Sequence, residues 1–425
     1  MLSRRANLVI LCLGWLLLFH PPETAAIDRD ATEAFQAMAA AGIEYLNDPT
    51  ECPGLINAQN LYVDLNAYTV IDIRSRTAYE SGHIYGAFHS SLSTLIDDLA
   101  TFIPSGKPYV IAGYTGQVGT QAKLAMALLG YNDVYSLLFG MSSWSPTLDL
   151  WTPNCNDFLF NPETTDQNGN LTEHEFPALS GDPETIVAER VAMNLAEGYK
   201  GIGYLDIQGN LEDYFVVNYF GDADYLGQGS SGVPGHIPGA FQFTPFMSMG
   251  IDQMLNNIPG GMPVVVYDWT GQHSSAVVAY LNMLGHQAYS LKFGANALFH
   301  SQLTAHYWSP SVMNDFPLVA GSDPTAVPEA DPSLVTFLGN HPNPFNPSTT
   351  ISYRLAETLP VSLRVYDLSG RLVRTLVHGE NQSPGAHEFV WEGRNDGGQS
   401  VASGTYVYRL DAGGYAVSRR LMLLK

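Results

Sequence analysis

Cysteines, basic residues and long apolar runs are all scarce in this sequence. Three cysteines occur among 425 residues, so the chain can form at most one intramolecular disulfide. Lys and Arg number 19 against 41 Asp and Glu, and the formal net charge is −22. A surface this acidic repels nucleic acid and anionic lipid, which we therefore exclude as partners. The acidic residues are concentrated in the first 334 positions, which hold 34 of them beside ten Lys and Arg.

The one sustained apolar run lies near the start of the chain and has the pattern of a secretory signal. Arg4 and Arg5 precede apolar residues from Leu8 to Phe19, and small residues follow at 24–26. A run of about a dozen residues is too short to span a bilayer. We expect an exported protein (periplasmic, on the cell surface or extracellular) that loses residues 1–26 and has no membrane span afterwards. A membrane anchor is the alternative.

One stretch of the chain occurs twice, at 108–140 and at 263–294. Each copy has a short apolar strand, a loop with the shared letters Thr-Gly-Gln, a helix closed by Leu-Gly, and a second strand that ends in Phe-Gly. A strand, a helix and a returning strand predict a parallel sheet. The loop then lies between the carboxyl end of a strand and the amino end of a helix, where free N–H groups attract an anion.

Both copies resemble the rhodanese family. Besides the loop, each carries a second matching segment: DIRSRTAYESGHIYGAF begins at Asp72, and LDI and PGHIPGAF occur at 205–207 and 234–241. The resemblance implies two α/β domains with parallel sheets in tandem, at 51–155 and 183–312. In the family a Cys opens the loop, and its thiolate takes sulfur from thiosulfate or a persulfide.

Both loops lack that Cys. Gly113 stands at its position in the first loop and Asp268 in the second. Glycine offers no nucleophile, and a carboxylate is expected to fill the anion cradle with its own oxygens. We therefore predict that neither loop is catalytic. The two loops consist of Gly113, Tyr114, Thr115, Gly116, Gln117 and Val118, and of Asp268, Trp269, Thr270, Gly271, Gln272 and His273.

Four loop residues are candidates for binding. Tyr114 and Trp269 follow the lost nucleophile, where they would either wall a cleft or pack against the other half of the protein. Asp268 and His273 are five residues apart, as an acid–base pair or two ligands of a metal would be. Because two candidate ligands are weak evidence for a metal, we predict no metal and no cofactor. A small anion or a protein is the expected partner.

Other signature residues of the family have architectural roles by resemblance. Asp72 is expected to brace the first loop, and His83 to hold a turn. In the second copy we expect Asp206 and His236 at the same positions, with an insertion around 209–232. A long loop beside a pocket is either functional or a cap over the cleft.

Cys52 and Cys155 bracket the first unit and would remain after Cys12 leaves with the signal. An exported protein meets oxidising conditions, so we predict a disulfide between them. Closing a loop of roughly 100 residues would stabilise the fold by several kcal/mol. Two buried free thiols are the alternative.

The segment 335–425 changes to short alternating strands separated by turns, which predicts a small antiparallel β-sandwich. HPNPFNPSTTISY from His341, VYDLSGRLVRTL from Val365 and SGTYVYRL from Ser403 resemble the sorting domain of type IX secretion cargo and the related Ig-like domain of flagellar hook-capping proteins. The resemblance implies contact with secretion machinery. An ordinary Ig-like accessory domain is the alternative.

The sequence therefore predicts three folded domains in an exported chain. The segments are a signal at 1–26, a lead helix at 27–50, rhodanese-like domains at 51–155 and 183–312, linkers at 156–182 and 313–334, and the sandwich. The predicted function is a catalytically inactive binding or scaffolding module delivered by its sorting domain. The alternatives are a thiosulfate or persulfide sulfurtransferase that works through an unrecognised group, and a hydrolase that uses Asp268.

Overall fold

The computed structural model describes residues 32–321, 335–367, 371–412 and 415–424. The predicted signal and residues 322–334 of the second linker lie outside these ranges. The chain forms two α/β units with parallel sheets, followed by two antiparallel sheets, which confirms the predicted fold class. Within the described ranges, no helix combines the length and apolar character needed to cross a membrane.

The first unit is a five-stranded parallel sheet with the strand order β1-β5-β4-β2-β3. Strands β2 and β4 are buried along their whole length, as expected where helices cover both faces of a sheet. The strands are β1 Leu55–Ile56, β2 Thr69–Asp72, β3 Phe88–His89, β4 Tyr109–Ala112 and β5 Val134–Leu137. The helices are α2 Ala58–Val63, α3 Arg76–Ser81, α4 Leu95–Thr101 and α5 Gln117–Leu128.

The second unit repeats this topology, with the order β6-β10-β9-β7-β8 and parallel pairing throughout. Its central strands β7 and β9 are again fully buried. The strands are β6 Gly201–Ile202, β7 Phe215–Asn218, β8 Phe241–Gln242, β9 Val264–Tyr267 and β10 Ala288–Leu291. The helices are α6 Ile186–Glu197, α7 Tyr204–Ile207, α8 Asp222–Tyr225 and α9 Gln272–Met283.

The predicted alignment of Asp206 with Asp72 is wrong. Asp206 lies in the short helix α7, where its carboxylate accepts a hydrogen bond from the backbone N–H of Gly203 at 3.1 Å. The strand that matches β2 is β7, so Asn218 takes the strand-end position of Asp72. The letters LDI at 205–207 resemble IDI at 71–73, but Phe215–Asn218 is the apolar run that the sheet buries.

The extra length of the second unit also lies later than predicted. In the first unit Tyr79 stacks on His83 at 3.8 Å, and in the second Tyr225 stacks on His236 at the same distance. The members of the first pair are four positions apart in the sequence, and those of the second are eleven positions apart. The added residues therefore form the turn between α8 and His236, and residues 209–218 belong to the sheet and its approach.

The lead helix α1, Glu33–Leu46, packs on both units. Thr32 begins it by accepting a hydrogen bond from the backbone N–H of Phe35 at 3.1 Å. Phe35 and Met38 are fully buried in a core that also contains side chains of α5, α6 and α9. Tyr280 of α9 donates its hydroxyl to the carbonyl of Ala39 at 3.4 Å. Helix α1 therefore joins the two units to each other.

Cys52 and Cys155 do not form the predicted disulfide, because both are free thiols in the structure. Cys52 precedes β1 and is buried in the core around α1. Cys155 packs beside Phe139 and Trp151, beyond the end of β5. Since β1 and β5 are parallel neighbours, the two thiols lie at opposite ends of this strand pair. Burial raises the pKa of each thiol to about 12.

The third domain consists of two antiparallel sheets, β11-β12-β15 and β14-β13-β16-β17. Alternate residues of β12 and β13 point into a shared apolar core, as expected of a sandwich. The strands are β11 Val335–His341, β12 Thr349–Leu355, β13 Leu359–Asp367, β14 Leu372–Gln382, β15 Gly385–Trp391, β16 Gly404–Ala412 and β17 Tyr415–Leu423.

Tyr62 of α2 is the centre of the contact between the sandwich and the first unit. Its ring stacks on Phe316 at 4.0 Å, and the guanidinium carbon of Arg409 lies 4.2 Å from its centroid. Its hydroxyl donates to Asp411 at 3.0 Å and accepts from Arg364 at 2.8 Å. The sandwich is thus held to the first unit by a stacked and hydrogen-bonded tyrosine.

Candidate functional site

Each repeated loop begins where a central strand ends and closes where a long helix begins. The loops follow β4 and β9 and lead into α5 and α9. Gly116 and Gly271 immediately precede the helices with φ of +84° and +74°, a left-handed conformation that favours glycine. The duplicated Thr-Gly-Gln therefore has a backbone reason: glycine makes the turn that directs the first helical N–H groups at the loop.

The Phe-Gly that ends each copy contacts the backbone of the loop. The backbone N–H of Met141, the residue after Gly140, donates to the carbonyl of Gly113 at 2.8 Å. In the second copy the backbone N–H of Ala295 donates to the carbonyl of Asp268 at 2.9 Å. A Cβ on Gly140 or on Gly294 would overlap the carbonyl oxygen that its neighbour binds. Both glycines also have positive φ. These contacts hold both loops in the same shape, whatever side chain opens them.

The second loop is filled by its own acid. Asp268 is buried, and its Oδ1 accepts from the backbone N–H and the hydroxyl of Ser274 at 3.2 and 2.8 Å. Its Oδ2 accepts from the N–H and the hydroxyl of Thr270 at 3.3 and 3.4 Å. Two backbone N–H groups and two hydroxyls at this loop are thus occupied by the Asp268 carboxylate.

The first loop has room where the second has a side chain. A Cβ placed on Gly113 would meet its nearest atoms at 3.8 Å, an ordinary van der Waals distance. The neighbouring Tyr114 is 38% exposed, and its hydroxyl lies 3.1 Å from that of Ser75. Its ring centroid is 5.8 Å from the guanidinium carbon of Arg74, which is buried in an ion pair with Asp72 at 2.6 Å. The cation beside this loop is therefore already neutralised.

The two loops contact each other across the interface between the units. A Cβ on Gly116 would overlap the amide of Gln272, and a Cβ on Gly271 would overlap the amide of Gln117. Thr120 of α5 donates its hydroxyl to the carbonyl of Gln272 at 2.6 Å. The reciprocal approach of the two glutamines means that the copies face each other with approximate twofold symmetry.

A cavity of about 800 Å³ lies between the units on the side of the second loop. Trp269 forms part of its wall, with its ring 4.9 Å from that of His306. His273 lies 4.9 Å from the ring of Phe246. The first unit closes the opposite side with Phe139. The remaining lining residues are Pro53, Leu55, Leu138, Gly221, Thr244, Pro245, Asp268, Thr270, Tyr307, Ser309, Ser311 and Val312.

His273 is neutral in this environment. Burial lowers the pKa of its imidazole to about 4, and the nearby Asp268 carboxylate opposes that shift without overcoming it. Its Nε2 and the indole Nε1 of Trp269 are both buried without a hydrogen-bond partner among the described residues. Two polar atoms next to the cavity therefore remain available to a ligand.

Three of the four predicted binding residues converge on this cavity, namely Asp268, Trp269 and His273. Tyr114 lies outside it, against the α3 side of the first loop. Sequence reasoning missed the aromatic residues that complete the cavity: Phe139, Phe246, His306 and Tyr307. Phe139 alone had a sequence signal, since it belongs to the repeated Phe-Gly. The others come from segments that only the tandem packing brings together.

Two parallel-sheet units of one topology, each with a strand-to-helix loop and facing its copy, define a tandem α/β protein of the sulfurtransferase fold. The family model "Rhodanese-like domain" matches residues 57–147 and 204–299. The thiosulfate sulfurtransferase GlpE of Pseudomonas fluorescens is 35% identical over 78 residues, which are 18% of this chain and 71% of that protein. The chain belongs to the rhodanese family.

The third domain has its own match, to the family model "FlgD Ig-like domain" over residues 344–414. FlgD from Pseudomonas aeruginosa is 24% identical, with coverage of 18% of this chain and 61% of that one and a TM-score of 0.15. A rhodanese-related protein from Thermoplasma volcanium is 26% identical, with coverage of 21% and 89% and a TM-score of 0.20. The chain thus joins an Ig-like domain to two rhodanese-like domains.

Proposed function

We propose that the tandem rhodanese-like domains are a binding module that transfers no sulfur, and that the protein is exported and sorted through its Ig-like domain. The observation that carries the first part is the hydrogen bonding of Asp268. Its carboxylate accepts from the backbone N–H groups of Thr270 and Ser274, two donors that a bound anion would otherwise use. A sulfur donor such as thiosulfate is anionic, so the Asp268 carboxylate repels it and competes with it for these donors.

The cysteines support the same proposal. Sulfur transfer of the family's kind needs a thiolate in the loop. Cys52 is 1% exposed and Cys155 packs among aromatic rings, and neither belongs to either loop. Burial raises the pKa of both thiols to about 12, so little thiolate forms near neutral pH. The cavity beside Asp268 has nevertheless the size of a small-molecule site.

The test is thiosulfate-to-cyanide sulfur transfer by the protein lacking residues 1–26. We expect no turnover above that of the double variant Cys52→Ser, Cys155→Ser. Gly113→Cys serves as the positive control, because the backbone there accepts a Cβ without overlap. We expect that variant to gain activity. Turnover by the parent that the double variant loses would refute the proposal.

Export and sorting are supported by the Ig-like match together with the segment from His341, which resembles the sorting domain of type IX cargo. The test compares the full chain with a chain that lacks residues 335–425, both expressed in a bacterium with a type IX system. We expect the full chain at the surface or in the medium and the shortened chain in the periplasm. Surface delivery of the shortened chain would refute the sorting role.

A further inference from the structure

We propose that the cavity between the units binds an organic cation of the quaternary ammonium class, held against the aromatic rings beside Asp268. This inference rests on the proposed binding function and names the class of ligand. It reverses the charge preference of an anion-binding loop.

The charges around the cavity support a cation. None of the residues that line it is Lys or Arg. Asp268 accepts four hydrogen bonds, yet none of the ion pairs among the described residues includes it. His273, a titratable side chain that interacts with Asp268, is neutral at pH 7. An uncompensated carboxylate at the wall of a partly desolvated cavity attracts a cation and repels an anion.

The aromatic lining supports an alkylated cation over a metal ion. Trp269, Phe246 and Phe139 line the cavity, and the more exposed Tyr307 lines it as well. Phe220 packs behind Trp269 at 4.7 Å and fixes its plane. Rings around a cavity bind ammonium groups through their π faces, and the methyl groups of a quaternary ammonium also bury apolar surface. A bare metal ion would find the Asp268 carboxylate, whose oxygens already accept hydrogen bonds, and Nε2 of His273, but no group of three metal-ligating side chains that could hold it occurs among the described residues.

The cavity also offers polar atoms for the rest of such a ligand. Nε2 of His273 and Nε1 of Trp269 have no partner among the described residues, and both residues line the cavity. A hydroxyl attached to the cation by a short chain can bond to either. The acidic surface of the first 334 residues would in addition draw cations toward the protein.

The first loop shows why this preference belongs to one copy. There, the residue at the position of Asp268 is Gly113, and the nearest buried charges are the paired Arg74 and Asp72. That neighbourhood has no uncompensated charge. The cation site therefore depends on Asp268 and on the rings that the tandem packing brings to it.

The experiment is a calorimetric titration of the protein lacking residues 1–26 with choline and with 3,3-dimethylbutan-1-ol, its neutral isostere. We expect choline to bind at least tenfold more tightly than the alcohol. Asp268→Asn and Trp269→Leu are each expected to weaken choline at least tenfold. Tyr114→Leu, the same position as Trp269 in the first loop but outside the cavity, is the matched control and is expected to leave binding unchanged.

Each result separates the inference from the function on which it rests. Equal binding of choline and the alcohol, or tighter binding of thiosulfate, would refute the proposed preference for a cation. The cavity would still be a binding site. No binding of choline would overturn the inference as well. Sulfur transfer by the parent would refute the proposed function instead. If Asp268→Asn fails to fold by circular dichroism, Trp269→Leu and the two ligands still decide the question.

Discussion

Replacing His273 by valine is expected to make the protein less sensitive to acid. Valine is the residue at the matching position, Val118, of the first loop. Burial lowers the pKa of His273 to about 4 in the folded protein, against about 6.5 in an unfolded chain. Below pH 6.5 the unfolded state binds a proton that the folded state does not, so the free energy of unfolding falls as the pH approaches 4. Between pH 8 and pH 5 this side chain costs about 2 kcal/mol of stability.

Urea denaturation at pH 8 and pH 5, followed by tryptophan fluorescence, measures this effect. The quantity is the fall in the free energy of unfolding between the two pH values, which we expect to be about 2 kcal/mol smaller in His273→Val. His286 is a second histidine whose pKa burial lowers to about 4, and His286→Gln is expected to reduce the fall in the same direction. An equal fall in the parent and in His273→Val would mean that the imidazole is hydrated, and the reasoning would be refuted.

Three further predictions concern single contacts. Tyr62→Ala is expected to lower the free energy of unfolding by about 3 kcal/mol and to speed proteolysis between the first unit and the Ig-like domain. Tyr62→Phe is the control, because it keeps the stacked ring. Equal proteolysis of the two variants would contradict this prediction. Arg74→Gln leaves Asp72 buried and unpaired, so urea denaturation should show a loss of about 3 to 5 kcal/mol, and a loss below about 1 kcal/mol would show that the pair is dispensable. Gly294→Ala should lower the melting temperature more than Gly130→Ala, because both have positive φ but only Gly294 has a carbonyl oxygen in the way.

The duplicated pattern was sufficient to predict the parallel sheets because it reports burial directly. The strands β4 and β9 are buried along their whole length. A strand buried on both faces appears in a sequence as a continuous apolar run, so it can be recognised there. The alignment of the second copy failed at Asp206, where two matching letters, Asp and Ile, were preferred to the apolar run that ends at Asn218. The strand boundary is set by which run the sheet buries, and short letter matches do not report that.

Only those site residues that lie close together in the sequence could be predicted to lie together in the structure. Asp268, Trp269 and His273 stand within six residues, so one loop brings them together. Phe139 and Phe246 meet them only because the two units pack face to face, which depends on surfaces that no single segment contains. The predicted disulfide failed for the same reason. Two cysteines that bracket a domain in sequence can lie at opposite ends of its strands.

The two loops keep the same backbone contacts although different residues, Gly113 and Asp268, open them. The glycines after each copy's second strand, Gly140 and Gly294, hold the loop by contacts that involve no side chain of the loop. Asp268 can therefore replace a nucleophile without disturbing the cradle, since its oxygens accept the hydrogen bonds that a bound anion would accept. An internal carboxylate leaves the cavity beside it with a negative charge. The proposed preference for a cation in the second copy therefore needs Asp268 together with the rings that the tandem packing brings to it.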